Sequence, residues 1–320
     1  MKKILKIVVY IFGAIAILAG AVAAYIQFAP APVYGEQHIP EITFESTPEK
    51  VAEGARIASM LCNECHTGDD GRLSGKLLND VPPAFGKFYS ANITQDPDNG
   101  IGKWTDAELY YFLRTGLRQD GTFAAVMPQF PQVSDEDLFS IIAFLRSDER
   151  KVQPSEKPSQ ASAPALLGNM LLKFILKPSP YPEAPVPQPD TLDQIAWGRY
   201  LANGLYSCYD CHSASFTTND RLIPENSKGF YGGGNELLDI DGNPIYSANL
   251  TPDRESGIGR YSERDFIQAL KYGMRPDGAP LQYPMRPHTA LTDNEVKAIF
   301  AYLRSIPPIS HTVARASAGK

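Results

Sequence analysis

Cysteine is scarce in this chain, with four residues among 320. So few thiols exclude the dense disulfide framework that holds small exported domains together. Histidine (five), methionine (six) and tryptophan (two) are hardly more common. A basic excess is also missing. Lysine and arginine number 30 against 36 aspartates and glutamates, a net charge of −6, which removes the footprint of a nucleic-acid binder. The charge is uneven, at −8 over residues 31–157 and −3 over 183–320. The first half therefore suits a basic partner better, with ordinary solubility as the alternative.

The few cysteines are not scattered. All four fall in two copies of one string, Cys62-Asn-Glu-Cys65-His66 and Cys208-Tyr-Asp-Cys211-His212. C-x-x-C-H is the spacing of covalent c-type haem attachment. The two thiols add to the haem vinyl groups as thioethers, and the adjacent histidine reaches the iron. A lone C-x-x-C is ambiguous between zinc, a redox dithiol and haem. A histidine in the next position, twice, with no cysteine spare, selects two covalent haems c.

An iron held by one histidine takes a sixth ligand or leaves that position open, and methionine and histidine are the usual choices. Met127 and Met285 each lie seven residues before the start of a closing helix, beside a proline that stiffens the loop. They are the candidate sixth ligands. The rivals are His38, His288 and His311. Of these, His288 is only three residues past Met285, and nothing corresponds to it near Met127. Thioether ligation raises the reduction potential and closes the iron to oxygen and peroxide, which suits electron passage.

The chain is internally duplicated. Residues 91–121 align without gaps on 248–278, with 12 of 31 positions identical, in the frame A-N-x-T-x-D, G-I-G, L-x-x-G-x-R-x-D-G. Ser134–Ser147 aligns on Thr292–Ser305. Each copy reads in the same order: an amphipathic stretch headed by Gly54 or Gly198, the cysteine motif, a polar loop, a helix over 105–116 or 262–273, a methionine loop and a closing helix. The second copy carries a longer, turn-rich insertion near Tyr231-Gly-Gly-Gly234. Trp104 and Tyr261 are either donors to a haem propionate or core aromatics. Arg118 and Arg275 face propionates or are solvated turn residues. Asn92 and Asn249 match glycosylation sequons but read better as loop-stabilising side chains.

Lys2, Lys3 and Lys6 precede an uncharged run from Ile7 to Ala29, 23 residues and long enough to span a bilayer. The positive flank predicts a cytoplasmic N-terminus and export of everything after Pro30. Ala21-Val22-Ala23 resembles a signal-peptidase site, but the run continues past it, which favours a retained anchor. The expected organisation is an anchor at 1–30, a domain at 45–150, a Pro-rich linker at 151–189, a second domain at 190–308 and a tail at 309–320. Within the linker, Leu166–Leu176 is apolar but too short to cross a membrane. It is expected to pack at a domain interface, or else to rest on lipid or on a partner.

On these residues the chain resembles a tandem pair of class I cytochrome c domains. It is most similar to the cytochrome c subunits of membrane-bound bacterial alcohol, aldehyde and gluconate dehydrogenases. Asn249-Leu-Thr-Pro-Asp253 with Gly257-Ile-Gly259, and Asn92-Ile-Thr-Gln-Asp96 with Gly100-Ile-Gly-Lys-Trp104, match the string that follows C-x-x-C-H in those proteins. The resemblance covers roughly 50–150 and 190–306. It implies an all-α fold with one small bundle around each haem, ligated by Cys62, Cys65, His66 and Met127 and by Cys208, Cys211, His212 and Met285. It also implies an electron carrier, not an enzyme, on the periplasmic face of the inner membrane. Its donor would be a dehydrogenase, and its acceptor a terminal oxidase or a small cytochrome. The chain departs from those subunits in having two haem motifs where they commonly have three, and Tyr261 where they have tryptophan. The rival readings are a dihaem peroxidase, which needs an open iron and a distal acid/base, and a haem-based sensor.

Overall fold

The computed structural model describes residues 2–35, 37–79 and 81–314; of the tail, 315–320 lies outside the described residues. The chain begins with α1 (Lys2–Phe28), 27 residues, exposed except for partly covered Ala23, Ile26 and Gln27 near its end, and apolar enough to cross a membrane. Two halves with the same order of helices follow. The first half holds α2 (Pro48–Leu61), α3 (Asn63–His66), α4 (Asp106–Thr115) and α5 (Asp135–Leu145). The linker helix α6 (Leu166–Met170) runs on as a π-turn over Leu171–Ile175. The second half holds α7 (Gln194–Arg199), which runs on as a π-turn over Tyr200–Leu205, then α8 (Cys208–His212), α9 (Glu263–Tyr272) and α10 (Asp293–Ser305). Among the described residues the strands form two short antiparallel pairs, Gly86–Lys87 with Ala163–Pro164 and Glu236–Leu238 with Pro244–Tyr246.

The helix ends follow from local chemistry. Thr105 and Glu108 form a reciprocal capping box at the start of α4, and Ser262 with Asp265 and Thr292 with Glu295 do the same at α9 and α10. α4 and α9 both stop at a left-handed glycine, Gly116 and Gly273.

Each half closes by crossing its first helix over its last. At the crossing a Cβ on Gly54 would stand 1.8 Å from the Ser140 carbonyl oxygen, and one on Gly198 1.9 Å from that of Ala298. Backbone meets backbone there, and only glycine fits. Around the crossings a continuous core joins both halves, including Ile57, Leu138 and Ile141 on one side and Leu201, Val296 and Ile299 on the other. Spacing differs between the copies: Gly54 lies eight residues before Cys62, and Gly198 ten before Cys208. The π-turn over Tyr200–Leu205 and a left-handed Ser207 (φ 46°) lie in that longer stretch. Both bring more residues to the motif than a regular helix could.

The halves grip each other reciprocally. Arg56 stands two residues after Gly54, and its guanidinium donates to both oxygens of Glu295 at 2.8 and 2.9 Å. Tyr200 stands two residues after Gly198, and its hydroxyl donates to Asp137 and accepts the Ser134 N–H at 3.0 Å. Glu295 and Asp137 occupy the same position, the third residue of α10 and of α5. Arg56→Ala is expected to lose about 2 kcal/mol, because the Glu295 carboxylate is buried while the arginine keeps some exposure. Thermal denaturation checks this, and an unchanged midpoint would mean the pair contributes nothing.

The linker helix does not sit between the halves. Gly168 lies so close to Phe85 that a Cβ would stand 2.1 Å from its carbonyl oxygen. The Lys173 ammonium donates to the carbonyls of Ile26 (2.7 Å) and Ala29 at the end of α1, where a cation also complements the helix dipole. The segment therefore docks on the first half beside the base of α1. Leu166, Leu167, Met170, Phe174 and Ile175 remain exposed.

Candidate functional site

Both cysteine motifs form a single helical turn continuing from the first helix of their half, α3 after α2 and α8 after the π-turn. None of the four cysteines is in a disulfide. Burial pushes Cys62 and Cys208 up to about 12 and Cys211 up to about 11. Such thiols stay protonated at neutral pH, the reverse of what a redox dithiol needs. Among the described residues no cluster of three or more His, Cys, Asp or Glu is arranged to hold a bare metal ion.

The histidines decide what the motif is set up to do. His66 Nδ1 lies 2.7 Å from the Ala91 carbonyl oxygen, and His212 Nδ1 lies 2.8 Å from that of Ala248. A carbonyl only accepts, so Nδ1 carries the hydrogen and Nε2 keeps its lone pair. Both rings are buried, and burial lowers their pKa, which keeps them neutral. Each histidine is thus fixed in tautomer and orientation, with the lone pair on Nε2.

The duplicated A-N-x-T-x-D string explains how that carbonyl is held. Asn92 Nδ2 donates to the carbonyls of Ser155 and Lys157, both at 2.8 Å, and its Oδ1 accepts from the Thr94 N–H (2.9 Å) and hydroxyl (2.7 Å). Asn249 and Thr251 repeat the arrangement, with Ile309 as the backbone partner at 2.7 Å. Both asparagines are buried, so they pin loops and cannot serve as glycosylation sites. On the other side, the N–H groups of Gly75 and Gly233 donate to the His66 and His212 carbonyls at 2.9 and 2.8 Å. These glycines have φ of +84° and +70°, and a Cβ would stand 2.4 and 2.5 Å from the Ser90 and Ser247 carbonyl oxygens. The sequence pattern pointed to this string, but its first residue, whose carbonyl orients the histidine, carries no side-chain signal.

Met127 and Met285 lie half-buried in the loops before α5 and α10, and Met127 packs against the core. His288 borders the same region as His212, close enough to disfavour its protonation, and its own Nδ1 is 2.8 Å from the Arg286 carbonyl oxygen. His38 is exposed, and His311 is held in the tail by the Gly232 carbonyl at 3.0 Å. Trp104 is half-buried against the core with Phe112 edge-on to it. Arg118 bonds Thr122, and Arg275 bonds Asp277, within their own turns. A residue the sequence reading passed over is Arg114. It is fully buried, and its guanidinium donates to the carbonyls of Phe130 (3.1 Å), Pro131 (3.2 Å) and Val133 and to Asp135, fixing the segment between Met127 and α5.

Residues 49–145, most of the first half, match the family described as cytochrome C oxidase, cbb3-type, subunit III. The cytochrome c subunit of the quinone-dependent alcohol dehydrogenase of Komagataeibacter europaeus is 32% identical over 272 residues, covering 81% of this chain and 56% of that one. The chain is similar to c-type cytochromes. The fructose dehydrogenase cytochrome subunit of Gluconobacter japonicus is 32% identical over 261 residues, covering 77% of this chain and 50% of the relative. A diheme cytochrome c-type protein of Cereibacter sphaeroides is 28% identical over 313 residues, covering 92% and 97%. The chain thus spans about half the length of the dehydrogenase subunits and nearly all of the diheme protein. C-type cytochromes carry covalently bound haem c. Cysteines outside any disulfide, next to a buried histidine whose Nδ1 is held by a carbonyl, fit that group.

Proposed function

We propose that this protein is a membrane-anchored dihaem cytochrome c that relays electrons from a dehydrogenase to a terminal oxidase or a small soluble cytochrome. The observation that carries this is the repetition, in both halves, of a histidine held by one backbone carbonyl directly after a pair of cysteines that form no disulfide. Haem c supplies one-electron chemistry at iron when bound. In this reading Cys62, Cys65, Cys208 and Cys211 tether the two groups, and His66 and His212 present Nε2 to the irons. Met127 and Met285 would supply the second side-chain ligand of each iron. The two halves then correspond to two class I cytochrome c domains within residues 45–150 and 190–308. The length and apolarity of α1, with Lys2, Lys3 and Lys6 before it, support an anchor that leaves the rest of the chain in the periplasm. The exposed apolar face of α6 beside the base of α1 fits contact with the lipid surface.

The test is a spectrum of the oxidised and reduced protein with haem counted per chain. Two haems, both showing the weak near-infrared band of methionine-to-iron ligation and unchanged by peroxide, are expected. Met127→Ala should remove about half of that band and lower one of the two potentials, with both haems still covalently bound. Met285→Ala should do the same at the other site. A variant that leaves the band and both potentials intact would sink that ligand assignment, and a spectrum altered by peroxide would favour the peroxidase reading.

A further inference from the structure

The extra residues of the second copy form a bridge between the two sites. In the insertion after α8, Asn219 Nδ2 donates to the backbone carbonyl of Asp210 at 2.9 Å and to its Oδ1 at 3.1 Å. Asp210 stands between Cys208 and Cys211. Two residues on, Arg221 Nη1 donates to Gln129 Oε1 at 2.8 Å, and Gln129 stands two residues after Met127. The first half holds the insertion in return, because Gln132 Nε2 donates to the carbonyls of Arg221 and Leu222, both at 2.8 Å. The loop between these anchors is stiff, since Asp220 Oδ1 accepts the N–H groups of Leu222 (3.0 Å) and Ile223 (2.9 Å).

The direction of the Gln129 amide follows from this. Gln129 is buried, and its Oε1 accepts from Arg221 and from the Ser179 hydroxyl at 3.1 Å. Two donors at the oxygen end leave the amide nitrogen facing the other way, where it donates to the Met127 carbonyl at 3.2 Å. Without Arg221 the amide loses its one charged partner. The methionine loop of the second half is held to the first half differently. Arg286 pairs with Glu64 at 2.6 Å, between two side chains that are both about half exposed, a kind of pair that contributes little, and Arg56 Nη1 donates to the Ala290 carbonyl at 3.1 Å, five residues past Met285.

We infer that Arg221 is a positioning residue for the first methionine loop: through Gln129 it ties the Met127 backbone to the cysteine motif of the other half. This deepens the proposed function and rests on Met127 as a sixth ligand. Its consequence is that release of Met127 from the first iron is restrained by the second half through Arg221 and Gln129, a path that does not reach Met285.

Imidazole binding to the oxidised full-length protein in detergent reads this out as two absorbance phases, the first-half phase being the one that Met127→Ala changes. Arg221→Ala should speed that phase about tenfold, the factor expected from one lost charge-assisted bond in a buried site, and leave the other phase at the wild-type rate. Arg221→Lys, which keeps a donor, should restore part of the restraint. Gln129→Glu conserves size and keeps Arg221 paired, but sets an oxygen against the Met127 carbonyl, and it should also speed the first-half phase. Wild-type rates in both phases for Arg221→Ala would overturn the inference. Should that variant fail to accumulate, wild-type rates in Gln129→Glu would overturn it instead. Failure of the underlying ligand reading looks different: the wild-type protein would lack the near-infrared band, and Met127→Ala would change neither phase.

Discussion

Gly54→Ala is expected to cost at least about 3 kcal/mol and to lower the haem content of the chain, as is Gly198→Ala. Overpacking a core usually costs about 1–3 kcal/mol, because side chains can shift rotamers to make room. Here the new Cβ would stand 1.8 or 1.9 Å from a backbone oxygen of the opposing helix, and a backbone cannot change rotamer. The helices must separate along their whole crossing, which opens the contacts of Ile57 and Leu138 in the first half or of Leu201 and Val296 in the second. The effect reaches the site because α2 runs straight into Cys62, so a displaced α2 carries the first thiol away from the second. Thermal denaturation and haem quantification per chain measure both consequences. Gly13→Ala, with nothing within 4 Å of the new Cβ, is the control. Wild-type stability in Gly54→Ala would mean that the close crossing does not exist in solution.

The second large effect is expected at Arg114. Arg114→Ala removes a fully buried guanidinium and strands three backbone carbonyls and the Asp135 carboxylate that it satisfies. Breaking a buried charge pair costs about 3–5 kcal/mol. The segment released lies directly after Met127, so about half of the near-infrared band should weaken along with the stability. Arg114→Lys separates the two contributions. The aligned residue in the second half is already a lysine, Lys271, paired with Asp293 at 2.5 Å, so Arg114→Lys should keep the carboxylate pair. A lysine cannot also span the three carbonyls with a planar fork, and the variant should fall between wild type and Arg114→Ala. Equal stability for all three proteins would remove Arg114 from the account of the loop.

Most of the fold was legible because it rests on local signals repeated twice. Thr105, Ser134, Ser262 and Thr292 marked helix starts by their capping chemistry, and the structure begins its helices one residue after each of them. The cysteine motifs were legible because their spacing admits few chemistries. What escaped was carried by backbone or by distant partners. The carbonyls of Ala91 and Ala248 orient the histidines, yet an alanine gives no sign of what its carbonyl accepts. The π-turn over Tyr200–Leu205 left only a spacing difference of two residues. The insertion was visible as extra length near Tyr231, but nothing local to Arg221 says that it reaches Gln129, 92 positions away. The resting place of the linker helix depended likewise on Lys173 meeting carbonyls 144 and 147 positions earlier.

The reciprocal grip between the halves has an evolutionary reading. An interface in which one surface patch meets a second copy of itself is the geometry of a symmetric homodimer. In such a dimer every substitution appears on both sides at once, so a residue that suits one partner must suit the other. Joining the copies in one chain lifts that constraint. Arg56 and Tyr200 descend to the same structural position yet bind their acids differently, one as a charged fork and the other as a hydroxyl. The two halves of one chain can therefore diverge from each other, which two identical subunits could not do.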